Sequence, residues 1–136
     1  MRYMILVKAT KDSEAGVTPP EELFTAMADY HEELAKAGVL LDANGLQPSS
    51  KGWRIKYSSD KRTVVDGPFA ETKELVAGYT IIQVKSREEA VEWARRFPNP
   101  HMVEGEIEVR QVFELEDFGD SPAIERFREM ERAGAK

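Results

Sequence analysis

The order of patterned segments predicts an α+β domain, and three observations carry that prediction. Four runs rich in β-branched and aromatic residues are spaced along the first 115 residues. Two segments with helical start and stop signals separate them in pairs. Two further short β-rich runs flank Ser58-Ser59-Asp60-Lys61 in the middle of the chain. The resulting order is β-α-β, hairpin, β-α-β. That is the ferredoxin-like split β-α-β pattern with an inserted β-hairpin.

The first run, residues 3–9, alternates weakly and ends at charge, as a strand does and a signal peptide or membrane span does not. Residues 11–17 are polar and read as a loop. Thr18-Pro19-Pro20-Glu21 carries a capping residue, a proline fit for the first helical position and a glutamate that closes a capping box. Leu23, Met27, Tyr30 and Leu34 then fall on one helical stripe, with Asp29, Glu32, Glu33 and Lys36 opposite. Gly38 is placed to end this helix. Residues 39–46 form a second strand closed by Pro48. Residues 53–57 and 63–65 make the hairpin. Residues 75–84 are apolar on both faces, so this strand is expected to be covered on both sides. Ser86-Arg87-Glu88-Glu89 opens a second helix that buries Ala90, Val91, Ala94 and Phe97 and stops before Pro98. Residues 106–115 supply the last strand. The domain is therefore expected over 1–115. Residues 116–136 form a linker and a short helix anchored by Ile124, Phe127 and Met130.

With 136 residues, 41% of them hydrophobic and 32% charged, the chain suits a single folded domain. A net charge of −6 and the lack of a long basic run argue against binding nucleic acid. There is no cysteine, hence no disulfide or thiolate site, which suits a cytoplasmic protein. Two distant histidines and scattered carboxylates offer no metal spacing, and no phosphate-binding glycine loop or nucleophile elbow occurs. The expectation is no metal, no cofactor and no membrane attachment.

The most specific stretch is Asp66-Gly67-Pro68-Phe69-Ala70-Glu71-Thr72-Lys73-Glu74, with Gly45-Leu46-Gln47-Pro48 upstream. It resembles the signature of the DGPF branch of the YCII-related (YciI-like) family, over about residues 1–113. The resemblance implies a homodimer forming a dimeric α/β barrel. An uncovered apolar sheet face points to the same assembly. It also implies, in some relatives, a His–Asp pair, for which His31 and Asp42 are the counterparts to test.

Within the signature, Asp66 is read either as a ligand-facing carboxylate or as a turn-former bonding nearby amides. Gly67, Pro68 and Phe69 shape the turn. Glu71 and Lys73 crowd the entrance to the doubly buried strand, where carboxylates beside an amine can shift one another's pKa. Asp66, Glu71 and His31 are the candidate catalytic groups, and Asp66, Glu71, Lys73 and Arg110 the candidate ligand-binding ones. The bland alternatives are a solvated charged loop and, for Arg110, an ion pair with Glu108. The functional expectation is a small-molecule site near a dimer interface, with acid–base catalysis open. The alternative is a non-catalytic regulatory or protein-interaction module tied to sigma-factor pathways, which the resemblance alone suggests.

Overall fold

The computed structural model describes residues 1–101 and 104–134. Strand β1 (Arg2–Lys8) leads to a short helix α1 (Lys11–Glu14), the long helix α2 (Glu21–Lys36) and β2 (Leu40–Gly45). The hairpin strands β3 (Trp53–Ser58) and β4 (Lys61–Asp66) follow. Then come β5 (Val76–Gln83), α3 (Arg87–Arg95), β6 (Ile107–Gln111) and α4 (Pro122–Arg132). The four long-range strands form one antiparallel sheet of order β2-β5-β1-β6, while β3 and β4 pair only with each other. This is an open α+β arrangement with the split β-α-β connectivity. The barrel that the resemblance implies is not closed by one chain, because β2 and β6 each pair on one side only.

Strand parity decides the core. Tyr3, Ile5, Ile82 and Val84 project under the helices and are buried. They meet Tyr30 and Leu34 of α2 and Ala90 of α3, with Trp93 and Phe97 packed against them. The Tyr30 hydroxyl donates to the Trp93 carbonyl at 2.7 Å and so ties α2 to the end of α3. Burial pushes this phenol up to about 12, so it stays a neutral donor. Val91, expected in the core, is instead exposed at the edge of α3, and Trp93 takes the inward position.

Helix starts differ from expectation in an instructive way. Thr18 does not cap α2, which begins after Pro20 with no side-chain cap. Thr10 caps the unexpected α1: its Oγ1 accepts from the Ser13 amide at 3.1 Å, and the Ser13 hydroxyl accepts from the Thr10 amide at 2.8 Å. That reciprocal pair is a local signal within a segment read as loop. Ser86 caps α3 and Ser121 caps α4 as their sequences require. The last strand stops at Gln111, well short of residue 115, and Leu115–Phe118 turns instead as a 3-10 segment.

Among the described residues the core helices α2 and α3 leave the opposite sheet face uncovered. Met4, Leu6, Ala77, Tyr79 and Ile81 form its apolar centre, by the same parity. Its border is polar and mostly charged: Asp42 and the neutral Asn44 on β2, Glu108 and Arg110 on β6, Arg2 and Lys8 at the ends of β1. Lys8 pairs with Glu108 at 3.1 Å. Among the described residues no helix is long and apolar enough to cross a membrane.

Candidate functional site

The signature turn is built from two segments that clasp one another. The Ser49 amide donates to Glu14 Oε2 at 2.9 Å, and the Ser49 hydroxyl donates to Glu14 Oε1. The same Ser49 Oγ accepts from the Phe69 amide at 3.0 Å. The Gly67 amide donates to the Gly52 carbonyl at 3.0 Å. A Cβ on Gly67 would lie 1.9 Å from the Ser49 carbonyl oxygen, so only glycine fits. The requirement is close approach, not left-handed backbone: Gly67 is absent from the glycines with positive φ. Arg54 of β3 stacks over the Phe69 ring, 3.8 Å from its centre. Residues 48–52 and 66–69 thus lock the base of the hairpin to α1.

The charged residues of the signature do not gather around one cavity within the chain. Asp66 and Glu71 are exposed, and among the described residues their side chains have no hydrogen bond or ion pair. Glu71 sits at φ 64° and ψ 57°, the left-handed region, at a cost of about 1–2 kcal/mol for a side chain with a Cβ. Lys73 borders a separate hollow of about 440 Å³ with Lys8, Thr10, His101 and Glu104. Arg110 lies on the helix-free sheet face and reaches Glu108 at 3.4 Å. Glu108 is held below the ordinary carboxylate range by its hydrogen bond from Lys8 first, and then by Arg110.

His31 stands elsewhere, on the helix-covered face. Its Nδ1 is 2.7 Å from the Met27 carbonyl, and its Nε2 is 2.8 Å from Thr80 Oγ1. A carbonyl can only accept, so Nδ1 carries the proton. In the neutral ring Nε2 then accepts from the Thr80 hydroxyl. Tyr30 and Phe97 meet the imidazole edge-on, at 5.4 and 6.1 Å between ring centres. Thr80 is 2% exposed, which removes it as a nucleophile despite the adjacent base.

The His31–Asp42 pair is not formed. Asp42 lies on the other sheet face, where its carboxylate accepts from the Tyr79 hydroxyl at 3.1 Å and from its neighbour's amide, that of Ala43, at 2.9 Å. The cause is a bulge between Leu40 and Asp42. Leu40 opposes Ile82, so an unbroken ladder would set Asp42 opposite Thr80, beside His31. The extra residue moves it opposite Ile81 and turns its side chain away.

Beside His31 runs a groove of about 430 Å³, walled by Phe24, Met27 and Ala28 of α2, with Gly78, Thr80 and Phe97 facing them. It adjoins a hollow of about 540 Å³ that extends toward Thr18 and His101, the two sharing Val7, Phe24, Met27 and Ala77. Gly78 has no side chain to fill the floor. Sequence reading found His31 but missed Thr80, Phe24 and Phe97 as its surroundings. Thr80 did leave a signal, as the one hydroxyl on the parity of Ile82 and Val84. Among the described residues no His, Asp and Glu side chains group as a metal site.

An open antiparallel α+β sheet with a helix-side groove defines the class. The chain belongs to the YCII-related domain family, whose pattern matches residues 1–116. It is 32% identical over 92 residues to the Uncharacterized protein R00369 of Rhizobium meliloti (strain 1021), covering 68% of this chain and 74% of that one. Among solved structures it is similar to 5-chloro-2-hydroxyhydroquinone dehydrochlorinase (TftG) from Burkholderia phenoliruptrix AC1100 in complex with 2,5-dihydroxybenzoquinone. That match has 13% identity and a TM-score of 0.45, over 83% of this chain and 94% of that chain.

Proposed function

We propose that this protein, of the DGPF branch of its family, works as a homodimer that binds a small, planar, largely apolar molecule in the groove beside His31. The observation that carries the reading is an imidazole of fixed tautomer, oriented by Met27 and Thr80, bordering a groove otherwise walled by Phe24, Met27 and Phe97. Apolar walls with a few placed polar groups are the usual make-up of a small-molecule site. His31 is the polar side chain within reach of a ligand there. Acid–base chemistry at Nε2 follows if the Thr80 hydroxyl swings aside to let the nitrogen accept a proton from the ligand. The dimer is supported by the helix-free sheet face, whose apolar centre and charged border have the composition of an interface.

A fragment screen by amide NMR tests this. Small aromatic phenols or carbonyl compounds are expected to shift the resonances of Met27, His31, Thr80 and Phe97. Ala28→Trp fills the groove from an exposed helix position, leaves the fold intact and weakens those hits at least tenfold. Hits that map elsewhere, or that ignore Ala28→Trp, overturn the reading.

A second reading keeps Asp66, Glu71 and Lys73 as a ligand set, completed by Arg110 from a second copy. What favours it is Glu71, held in left-handed backbone with an unpartnered carboxylate, since such strain persists where a surrounding structure imposes it and clusters at functional sites. Fragments that shift Glu71 and Lys73 only in the dimer would select this reading over the groove. The regulatory, protein-interaction alternative is the one in which no small molecule shifts either set.

A further inference from the structure

Two exposed apolar patches lie at opposite ends of the sheet, in segments of opposite charge. The first is on the hairpin. Trp53, Ile55 and Tyr57 of β3 share a face with Val64 of β4 by cross-strand register, and they are 64, 39, 69 and 61% exposed. A two-stranded hairpin with no cover is marginal in water, and among the described residues no other strand pairs with either edge. Residues 51–66 hold five cations (Lys51, Arg54, Lys56, Lys61, Arg62) against Asp60 and Asp66. The second patch follows β6. Phe113 and Phe118 lie against each other, 4.7 Å between ring centres, and remain 68 and 54% exposed. Residues 113–120 hold Glu114, Glu116, Asp117 and Asp120 and no cation, with Glu114 paired to Arg2 and Asp120 to Arg128 at 3.2 Å, so Glu116 and Asp117 are the carboxylates without an ion pair among the described residues.

The sheet sets their positions. The hairpin leaves from the end where Gly45 opposes Gly78 and returns to β5 at Val76. Phe113 lies at the other end, next to the β6 residue Gln111, which pairs with Tyr3. Arg2, whose side chain is on the helix-free face, bonds Glu114 at 3.0 Å and so draws this acidic segment toward that face.

We infer that the occupant of the hairpin's apolar face is a second copy of this chain. In a two-fold dimer the cationic, aromatic hairpin of each protomer reaches over the partner's sheet to its acidic Phe113–Phe118 end. This rests on the dimer proposed above and adds the contact that would hold it. Sheets facing one another in antiparallel sense bring unlike ends together, and a two-fold axis makes the contact twice. Strands of six residues reach about 20 Å, enough to span the roughly 10 Å between packed sheets. A contact between copies through the hairpins alone would set cation against cation, and an unrelated acidic partner would leave Phe113 and Phe118 uncovered.

Charge-reversed variants of the full chain test it, with mass read by light scattering at tens of micromolar. One variant is Lys61→Glu/Arg62→Glu on the hairpin, the other Glu116→Lys/Asp120→Lys on the distal segment. Wild type is expected at twice 15.4 kDa. Each variant alone is expected to weaken dimerisation at least tenfold, because the hairpin falls from +3 to −1 in one and the segment from −4 to 0 in the other, so the attraction is lost at both contacts. Their equimolar mixture partly restores the dimer, since in the mixed pair one contact again joins a cationic hairpin to an acidic segment. Circular dichroism confirms that each variant is folded. A dimeric wild type whose variants dimerise unchanged, or whose mixture does not recover, overturns the hairpin contact and leaves the sheet-face dimer standing. A monomeric wild type overturns both.

Discussion

Gly67 shows how much one missing methyl can decide. The Asp-Gly-Pro turn allows a glycine chosen either for positive φ or for a close backbone approach, and only in the first case is a substitution a matter of backbone strain. The structure selects the second, with the Ser49 carbonyl in the space a side chain would need. Gly67→Val is expected to lower stability by about 1–3 kcal/mol in urea melts, because backbone atoms on both sides must move apart. Gly67→Ala should cost nearly as much, since the clash is with Cβ itself. A valine variant that melts with the wild type would mean the 48–52 segment moves aside freely. Glu71 contrasts with this: its left-handed backbone could not be read from a glutamate, because local sequence puts glycine or asparagine there.

At the scale of elements, the hairpin depends on contacts outside itself. Its strands pair only with one another, and its base is tied down by Glu14 through Ser49 to Phe69. Glu14→Ala removes the acceptor for the Ser49 amide and hydroxyl together. The expected result is faster hydrogen exchange at Ser49, Gly67 and Phe69, with Ile5 and Ile82 protected as before. Uniformly faster exchange across β1 and β5 would show instead that the clasp stabilises the whole domain. The β2 bulge acts on the same scale. One extra residue near Leu41 separates Asp42 from His31, so the pair implied by resemblance is lost through register and not through residue identity.

For the molecule as a whole, acid weakens the charged border of the helix-free sheet face. Glu108 sits there between Lys8 and Arg110 and takes up a proton less readily folded than unfolded. A carboxylate of this kind adds stability above its ordinary pKa near 4.5 and loses that contribution as pH falls through the lower folded value. Glu108→Gln is therefore expected to melt lower than wild type at pH 7, with the gap closing below about pH 4. The effect is small, because the group is solvent-screened. A gap that widens in acid would contradict the sign.

The amino-acid sequence by itself determined the α+β class, the order of the strands and of every helix but α1, the inserted hairpin and the tyrosine–leucine stripe of α2. These follow from periodicity and capping residues, which act within a few positions of one another. It also marked the 66–74 signature and His31 as positions of interest. The tertiary structure decided what each of them does. His31 is satisfied by Thr80, 49 residues away; Gly67 is required by Ser49; Asp42 is turned aside by a bulge; and Asp66 and Glu71 face solvent. Each of these depends on which strand lies next to which and in what register. Register is set by long-range packing, so no local pattern in the chain carries it.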